Sequence, residues 1–366
     1  GQGRSPRVWM IVGDRLGDNA QVETLVAALD LPVERKYVRV LDEWAKRKPR
    51  VKPSLHHIDL AASDPLEAPW PDMVITVGRR LSMVALWIQR QSGGRTRLVL
   101  VGKPSGAHRH FSLIITSAEV QIAPAPNVPR IGMPLVRVDE TRVAEAAEAW
   151  RDRLEKLPRP LIGMLVGGPT NPFVFNASVR DRLLRTAHDI VSRDGGTPYV
   201  TTSPRTPPKI VAALREGLPP EAQFFEWRRD APDNPYHALL GLADGFIVTG
   251  DSISMLVEVA KLGKPLGIFP LPYGVIHKLD QVRREGAHWL YEPEVGKSSD
   301  GLRRTIISAG GALGVLPRTR DFSALHGLLI GQGLAGPAEE PLRAPEGEVP
   351  SDLPVVVERI HALLNE

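Results

Sequence analysis

Thr249-Gly250-Asp251-Ser252-Ile253-Ser254-Met255-Leu256-Val257-Glu258 joins the end of an apolar run to a glycine turn, two serines and an acid. If a helix opens at Asp251-Ser252, then Ser252 and Ser254 fall in its first turn, where free N–H groups and the helix dipole favour a phosphate. Glu258 lies four residues after Ser254, on the same face and about one turn deeper, within reach of a ribose whose diphosphate is held at the turn. The same residues also fit a plain cap by Asp251 or Ser252 with a solvated glutamate behind it, and spacing does not choose between the two. Thr201-Thr202-Ser203-Pro204-Arg205 brings hydroxyls and a fixed cation, suited to a phosphate clamp or to an ordinary polar loop. Gly167-Gly168-Pro169-Thr170 permits close backbone approach, or simply ends a strand. In the first half, Asp14 and Asp18 flank Gly17, and either can serve as a base toward an acceptor hydroxyl or as a turn residue. Gly78-Arg79-Arg80 can meet an anionic group.

These segments need a scaffold that places them at the mouths of sheets. Val8–Val12, Val33–Val40, Met73–Val77, Leu98–Val101 and Leu113–Thr116 read as strands, with helices from Asp18 or Asn19 to Leu29 and from Arg79 to Gln91. After an alanine- and charge-rich helix over Glu140–Lys156, the alternation restarts. Strands at Leu161–Val166, Tyr199–Thr202, Phe224–Trp227, Gly245–Thr249 and Pro265–Phe269 alternate with helices at 178–193, 207–216, 236–243 and 251–262. Strands alternating with helices imply doubly wound parallel sheets, so the fold class is α/β. Leu157-Pro158-Arg159-Pro160 suggests a boundary, giving domains at 1–157 and 158–335. Residues 336–366 then form a surface linker, rich in Gly, Pro and Glu from 331 to 350, and a closing amphipathic helix over 354–364 that returns to the first lobe.

Composition agrees. With 366 residues the chain suits two domains better than one core. At 42% hydrophobic and 24% charged residues it lies with folded globular chains, and 33 Gly with 34 Pro exclude a coiled coil or long bundle. The net charge of +4 is mildly basic, which suits anionic ligands or an anionic membrane surface. Only 5% aromatic residues and no basic run with interleaved aromatics argue against nucleic-acid binding. Without cysteine there is no disulfide, zinc–thiolate or thiol nucleophile. There is no P-loop pattern, no Asp-x-Asp pointing to a metal-bound nucleotide sugar, and no G-x-S-x-G elbow. His56-His57 and His108-Arg109-His110 lack zinc spacing and are expected at the surface. No run is long enough for a membrane span and the opening residues lack the apolar core of a signal peptide, which predicts a cytoplasmic location.

Five motifs in order, Gly13–Gln21, Val77–Arg80, Val166–Thr170, Thr201–Pro207 and Asp251–Glu258, resemble the plant "elongated mitochondria" fission-factor family and its bacterial relatives. Richness in Arg, Ala and Pro favours the bacterial side. That family is similar to the GT-B group of glycosyltransferases and sugar-nucleotide epimerases, which implies two Rossmann-like domains facing a cleft with the nucleotide sugar in the C-terminal one. The resemblance implies a ribose role for Glu258 and a donor site of Gly168, Thr202, Ser203, Arg205, Asp251, Ser252, Ser254 and Met255. It implies an acceptor side of Gly13, Gly17, Asn19, Gln21 and Arg79, with Asp14 or Asp18 as the base. The expected function is metal-independent transfer of a sugar from a nucleotide diphosphate donor, UDP-linked, to a lipid-linked or lipopolysaccharide acceptor of the cell envelope. Arg205 neutralises the leaving group in this scheme, no cofactor is needed, and the enzyme works peripherally at the inner membrane. The alternatives are a non-catalytic nucleotide-binding adaptor of the fission-factor type and a sugar-nucleotide epimerase.

Overall fold

Val8-Trp9-Met10-Ile11-Val12 is apolar and buried at every position, as a strand covered on both faces must be. In the computed structural model, which describes residues 3–170, 172–274, 278–291 and 319–366 together with Leu302 and Ile306, it is the first strand of a five-stranded sheet, separate from the six-stranded sheet that the later part of the chain forms. The chain divides into two units. One runs from the N-terminus to Arg137 and takes in Pro350–Glu366; the other runs from Val138 and takes in Thr319–Val349.

The first unit contains β1 (Val8–Val12), α1 (Leu16–Ala28), β2 (Val33–Tyr37), β3 (Arg39–Val40), α2 (Asp42–Ala45) and β4 (Ile58–Asp59). It continues with β5 (Met73–Val77), α3 (Arg79–Gln91), β6 (Arg97–Val101), β7 (Leu113–Ile115) and β8 (Val120–Gln121). Its five-stranded sheet has the order β2-β1-β5-β6-β7, parallel throughout. The chain steps outward from β1 to β2 and then returns to the other side of β1, so the topological switch lies at the carboxyl ends of β1 and β5. The single strand expected over Val33–Val40 is two strands. Buried Val38 donates its N–H to the Val12 carbonyl at 3.0 Å, and β3 then leaves the sheet to pair antiparallel with β4.

The second unit contains α4 (Glu140–Leu154), β9 (Leu161–Leu165), α5 (Ala177–Ser192), β10 (Thr197–Thr201), α6 (Pro208–Gly217) and β11 (Gln223–Phe225). Then come α7 (Tyr236–Leu242), β12 (Gly245–Thr249), α8 (Ile253–Lys261) and β13 (Leu266–Phe269). The order is β11-β10-β9-β12-β13, again parallel, with the short strand Gly336–Pro337 added beside β13. Here the switch lies between β9 and β12. Each unit therefore has the doubly wound parallel sheet expected from the sequence.

Two boundaries differ from expectation. Helix α4 belongs to the second unit, not the first: it buries Val143, Ala147, Trp150 and Leu154, and packs on α7 so closely that a Cβ at Gly241 would lie 2.9 Å from that of Ala147. The Pro158-Arg159-Pro160 break thus follows a helix that already belongs to the later unit. Residues 336–349 are likewise part of that unit rather than a linker. Leu334 and Ala338 are buried, Leu342 packs against the second core, and Pro337 sits on an edge strand, where its missing N–H costs nothing. The closing helix does return to the first unit. Leu353–Asn365 buries Val356 and Ile360 in that core, His361 Nε2 lies 2.9 Å from the Leu29 carbonyl, and the Asp352 carboxylate accepts the Gly132 N–H at 2.8 Å.

Candidate functional site

In the second unit the strand ends at the switch carry three of the predicted segments. Gly167 donates its N–H to Thr249 Oγ1 at 2.8 Å, and Gly168 donates to the Asp251 carboxylate at 3.0 Å. The loop after β9 is thereby stitched to the loop after β12. Both glycines are obligatory by space: a Cβ on Gly167 would lie 2.4 Å from Asp251 Oδ2 and Ser252 Oγ, and one on Gly168 would lie 2.2 Å from the Arg205 carbonyl oxygen. Thr206 closes the third side, donating its hydroxyl to the Gly167 carbonyl at 2.6 Å and accepting the Ser203 N–H at 2.9 Å. Arg205 is exposed at the rim, where Nη1 donates to Thr170 Oγ1 at 2.9 Å.

This geometry sorts the expected donor residues. Asp251 does not cap α8; it is a buried clasp whose carboxylate receives the Gly168 amide, so that amide already has a partner. Burial pushes its carboxyl up, while the Thr249 and Gly168 hydrogen bonds and the nearby Arg205 charge oppose the rise. Thr202 is also occupied, its hydroxyl accepting the Trp227 N–H at 2.9 Å, and the Ser203 hydroxyl lies 3.1 Å from that of Thr206. Ser252 is the N-cap residue of α8 without a side-chain capping bond, and Ser254 is exposed in the first turn beside half-buried Met255. Gly250 is pinned from behind by His326, whose Nε2 lies 2.6 Å from the Gly250 carbonyl and whose pKa is lowered by burial.

Glu258 is half-buried on α8 one turn beyond Ser254, and burial raises its pKa. Beside its carboxyl lies the buried hydroxyl of Tyr236, at the start of α7, which forms no well-made hydrogen bond to any protein group. That hydroxyl is held strongly in its neutral form, first by burial and then by the neighbouring carboxylate. A carboxylate and a neighbouring buried hydroxyl near a helix N-terminus can together receive a pair of vicinal hydroxyls. Tyr236 was not among the expected residues. It lies 22 positions before Glu258 on a different helix, so no local spacing announces it.

The first unit has its own pocket at its switch, about 300 Å³, lined by Gly13, Asp14, Asp18, Asn19, Gly78, Arg79 and neighbours. Asp14 is exposed and accepts the Tyr37 hydroxyl in a short hydrogen bond, which raises the tyrosine pKa. Asn19 is not a helix cap. From the first turn of α1 its buried side chain accepts the Gly13 N–H at 3.0 Å and donates to the Gly13 carbonyl at 2.7 Å, locking the loop. Gly17 is exposed, and Gln21 lies farther along α1, with Oε1 3.9 Å from where a Cβ on Gly102 would stand. Arg79 lines the pocket and is anchored by a 3.0 Å bond to the Pro49 carbonyl. Arg80 is structural: its guanidinium serves the carbonyls of Trp44, Ala45 and Arg47. His57 corrects the expectation of a surface histidine, since it is fully buried with Nε2 2.8 Å from the Arg80 carbonyl and its pKa is lowered by burial.

The family described as Mitochondrial fission ELM1 matches residues 17–285. The chain belongs to this family. Over 282 residues it is 23% identical to the mitochondrial fission protein ELM1 of Arabidopsis thaliana, covering 66% of each chain, so the match spans just under two thirds of the plant relative. It is 23% identical over 302 residues to an uncharacterized protein of Rickettsia prowazekii (strain Madrid E), covering 72% of this chain and 83% of that one. Among solved structures it overlays loosely on a UDP-GlcNAc 2-epimerase from Methanocaldococcus jannaschii, with TM-score 0.47, 11% identity, and 97% and 99% of the two chains covered. A UDP-glucosyltransferase from Polygonum tinctorium gives TM-score 0.44 at 12% identity over 100% of both chains. In this ELM1-family chain no helix among the described residues is long and apolar enough to cross a membrane.

Two outcomes follow from the site. Gly168→Ala drives a methyl into the Arg205 backbone and costs about 1–3 kcal/mol, a drop of roughly 2–4 °C in thermal midpoint per kcal/mol for a unit of this size. Glu258 has a folded pKa above its ordinary 4.5, so the stability linked to it is full below that value and is lost as pH rises through the raised one. Glu258→Gln therefore gains thermal midpoint relative to the wild type between pH 4 and neutrality; a difference independent of pH would show that the carboxyl is not perturbed.

Proposed function

We propose that the second unit binds a nucleoside diphosphate sugar, UDP-linked, and that the protein transfers the sugar without a metal to an acceptor held by the first unit, a lipid-linked or envelope glycan. The observation that carries the reading is the half-buried Glu258 carboxyl beside the buried Tyr236 hydroxyl, one turn below the opening of α8. Ligands in open parallel sheets bind at the switch beyond the carboxyl ends of the strands, which is where this pair and the glycine loop lie. The first-turn amides of Ser254 and Met255 and the rim cation Arg205 then face the diphosphate, and Arg205 stabilises the charge that develops on the leaving group. Glu258 and Tyr236 take the ribose hydroxyls. Asp14, in the first unit's own pocket, is the base toward the acceptor, with Asp18 beside it.

One observation favours a second reading, a nucleotide-binding adaptor without turnover. The Gly168 amide and the Thr202 and Ser203 hydroxyls are engaged within the chain, which leaves the loop fewer donors for a reacting phosphate. The family's name and that of the plant relative are those of a fission protein.

Thermal-shift titration with UDP, GDP, CMP and their sugars separates these readings. UDP or a UDP-sugar raises the wild-type midpoint, and Glu258→Ala or Tyr236→Phe weakens the apparent affinity by about tenfold or more, the loss expected for a hydrogen bond to a charged group. No shift with any nucleotide contradicts the donor site. A shift without release of UDP from the sugar, in the wild type and in Asp14→Asn alike, selects the adaptor.

A further inference from the structure

A larger cavity lies elsewhere, in the first unit along α3. It measures about 940 Å³ and is lined by Arg50, Lys52, Arg79, Arg90, Arg109 and His110. Among the described residues, no acidic residue lines it. Among the described residues, Arg50, Lys52, Arg90 and Arg109 form no ion pair, so their charges reach the cavity uncompensated. Gathering like charges around one concavity is unfavourable without a counter-charge, and the low-dielectric wall that Val51, Pro53, Leu86 and Ala107 supply concentrates the field.

The backbone on one side is held in rare conformations. Gly102 (φ 90°), Gly106 (φ 147°) and Ala107 (φ 55°) lie in the left-handed region, and Ala107 opens the one-turn 3-10 helix that presents Arg109 and His110. A non-glycine residue in that region is costly and persists where the surroundings over-determine it. On the other side Arg79 is tied to the Pro49 carbonyl, which fixes the Arg50-Val51-Lys52 segment against α3.

We infer that this cavity is an anion site that takes a phosphate-bearing ligand, either a lipid headgroup or a free polyphosphate, separate from the nucleotide site of the second unit. Guanidinium groups recognise phosphate through paired charge-assisted hydrogen bonds, and four unpaired cations match a group carrying more than one negative charge. The cavity exceeds what one phosphate fills, and its apolar wall suits the organic part of an ester.

The chain has no cysteine, so a Ser105→Cys variant carrying an environment-sensitive fluorophore reports on this cavity alone. One arm titrates inorganic pyrophosphate at about 20 mM salt, where screening is weak. The other measures co-sedimentation with phosphatidylglycerol vesicles against pure phosphatidylcholine. Each arm compares the parent with R50S/K52S/R90S/R109S and with R142S/K209S/R229S, which removes charge from the second unit. At least one probe binds the parent, the cavity variant weakens that binding by about tenfold or more, and the control variant retains it. Which probe binds identifies the source of the phosphate. Absence of binding in both arms, equal binding by the cavity variant, or equal loss in the control would overturn the inference. No nucleotide enters either arm, so the result is independent of the transferase reading.

Discussion

A single buried carboxylate organises the second unit's site. Asp251 receives the Gly168 amide across the gap between the ends of β9 and β12, and this bond sets where α8 opens and how close the β9 loop comes to it. A buried carboxylate is costly unless it is hydrogen-bonded, and the bonds from Gly168 and the Thr249 region offset the desolvation that raises its pKa. The closeness of the two loops leaves no room for a Cβ at 167 or 168, and Thr206 and Arg205 form the remaining wall. Glu258 inherits its position from the same anchor, since α8 leads directly away from it, and Tyr236 reaches it from the start of α7.

The two units apply one architectural rule with different chemistry. In each, the sheet reverses direction beside its first strand, and in each, a glycine loop ends that strand. In the second unit the loop is held by an aspartate from the facing strand end. In the first it is held by Asn19 from its own following helix, which leaves Asp14 exposed and accepting the Tyr37 hydroxyl. One loop is thus closed and built around buried charge; the other is open and presents carboxylates at its surface.

Much of this was legible in the sequence, because continuous apolar runs followed by glycine turns report buried parallel strands and their mouths directly. Helix α3 falls on its expected bounds, and Asp14, Asp18, Asn19 and Arg79 do gather at one pocket. What failed was what depends on distant partners. Asn19 and Asp251 have the residue types of caps and instead clasp glycine loops, and Thr202 is spent on the Trp227 amide. Tyr236 carries no local signal at all. The proline-rich break at 158–160 marks a turn rather than the unit boundary, since α4 is claimed by its packing against α7 and Gly241.

We propose that a nucleoside diphosphate binds at the opening of α8, with the loops stitched to it. Amide hydrogen exchange with and without saturating UDP tests it directly. Binding there slows exchange in peptides covering 165–170, 201–206 and 250–260 and leaves 13–19 and 79–91 unchanged. Exchange unaltered across all three second-unit segments at saturation, or protection confined to the first unit, would contradict it.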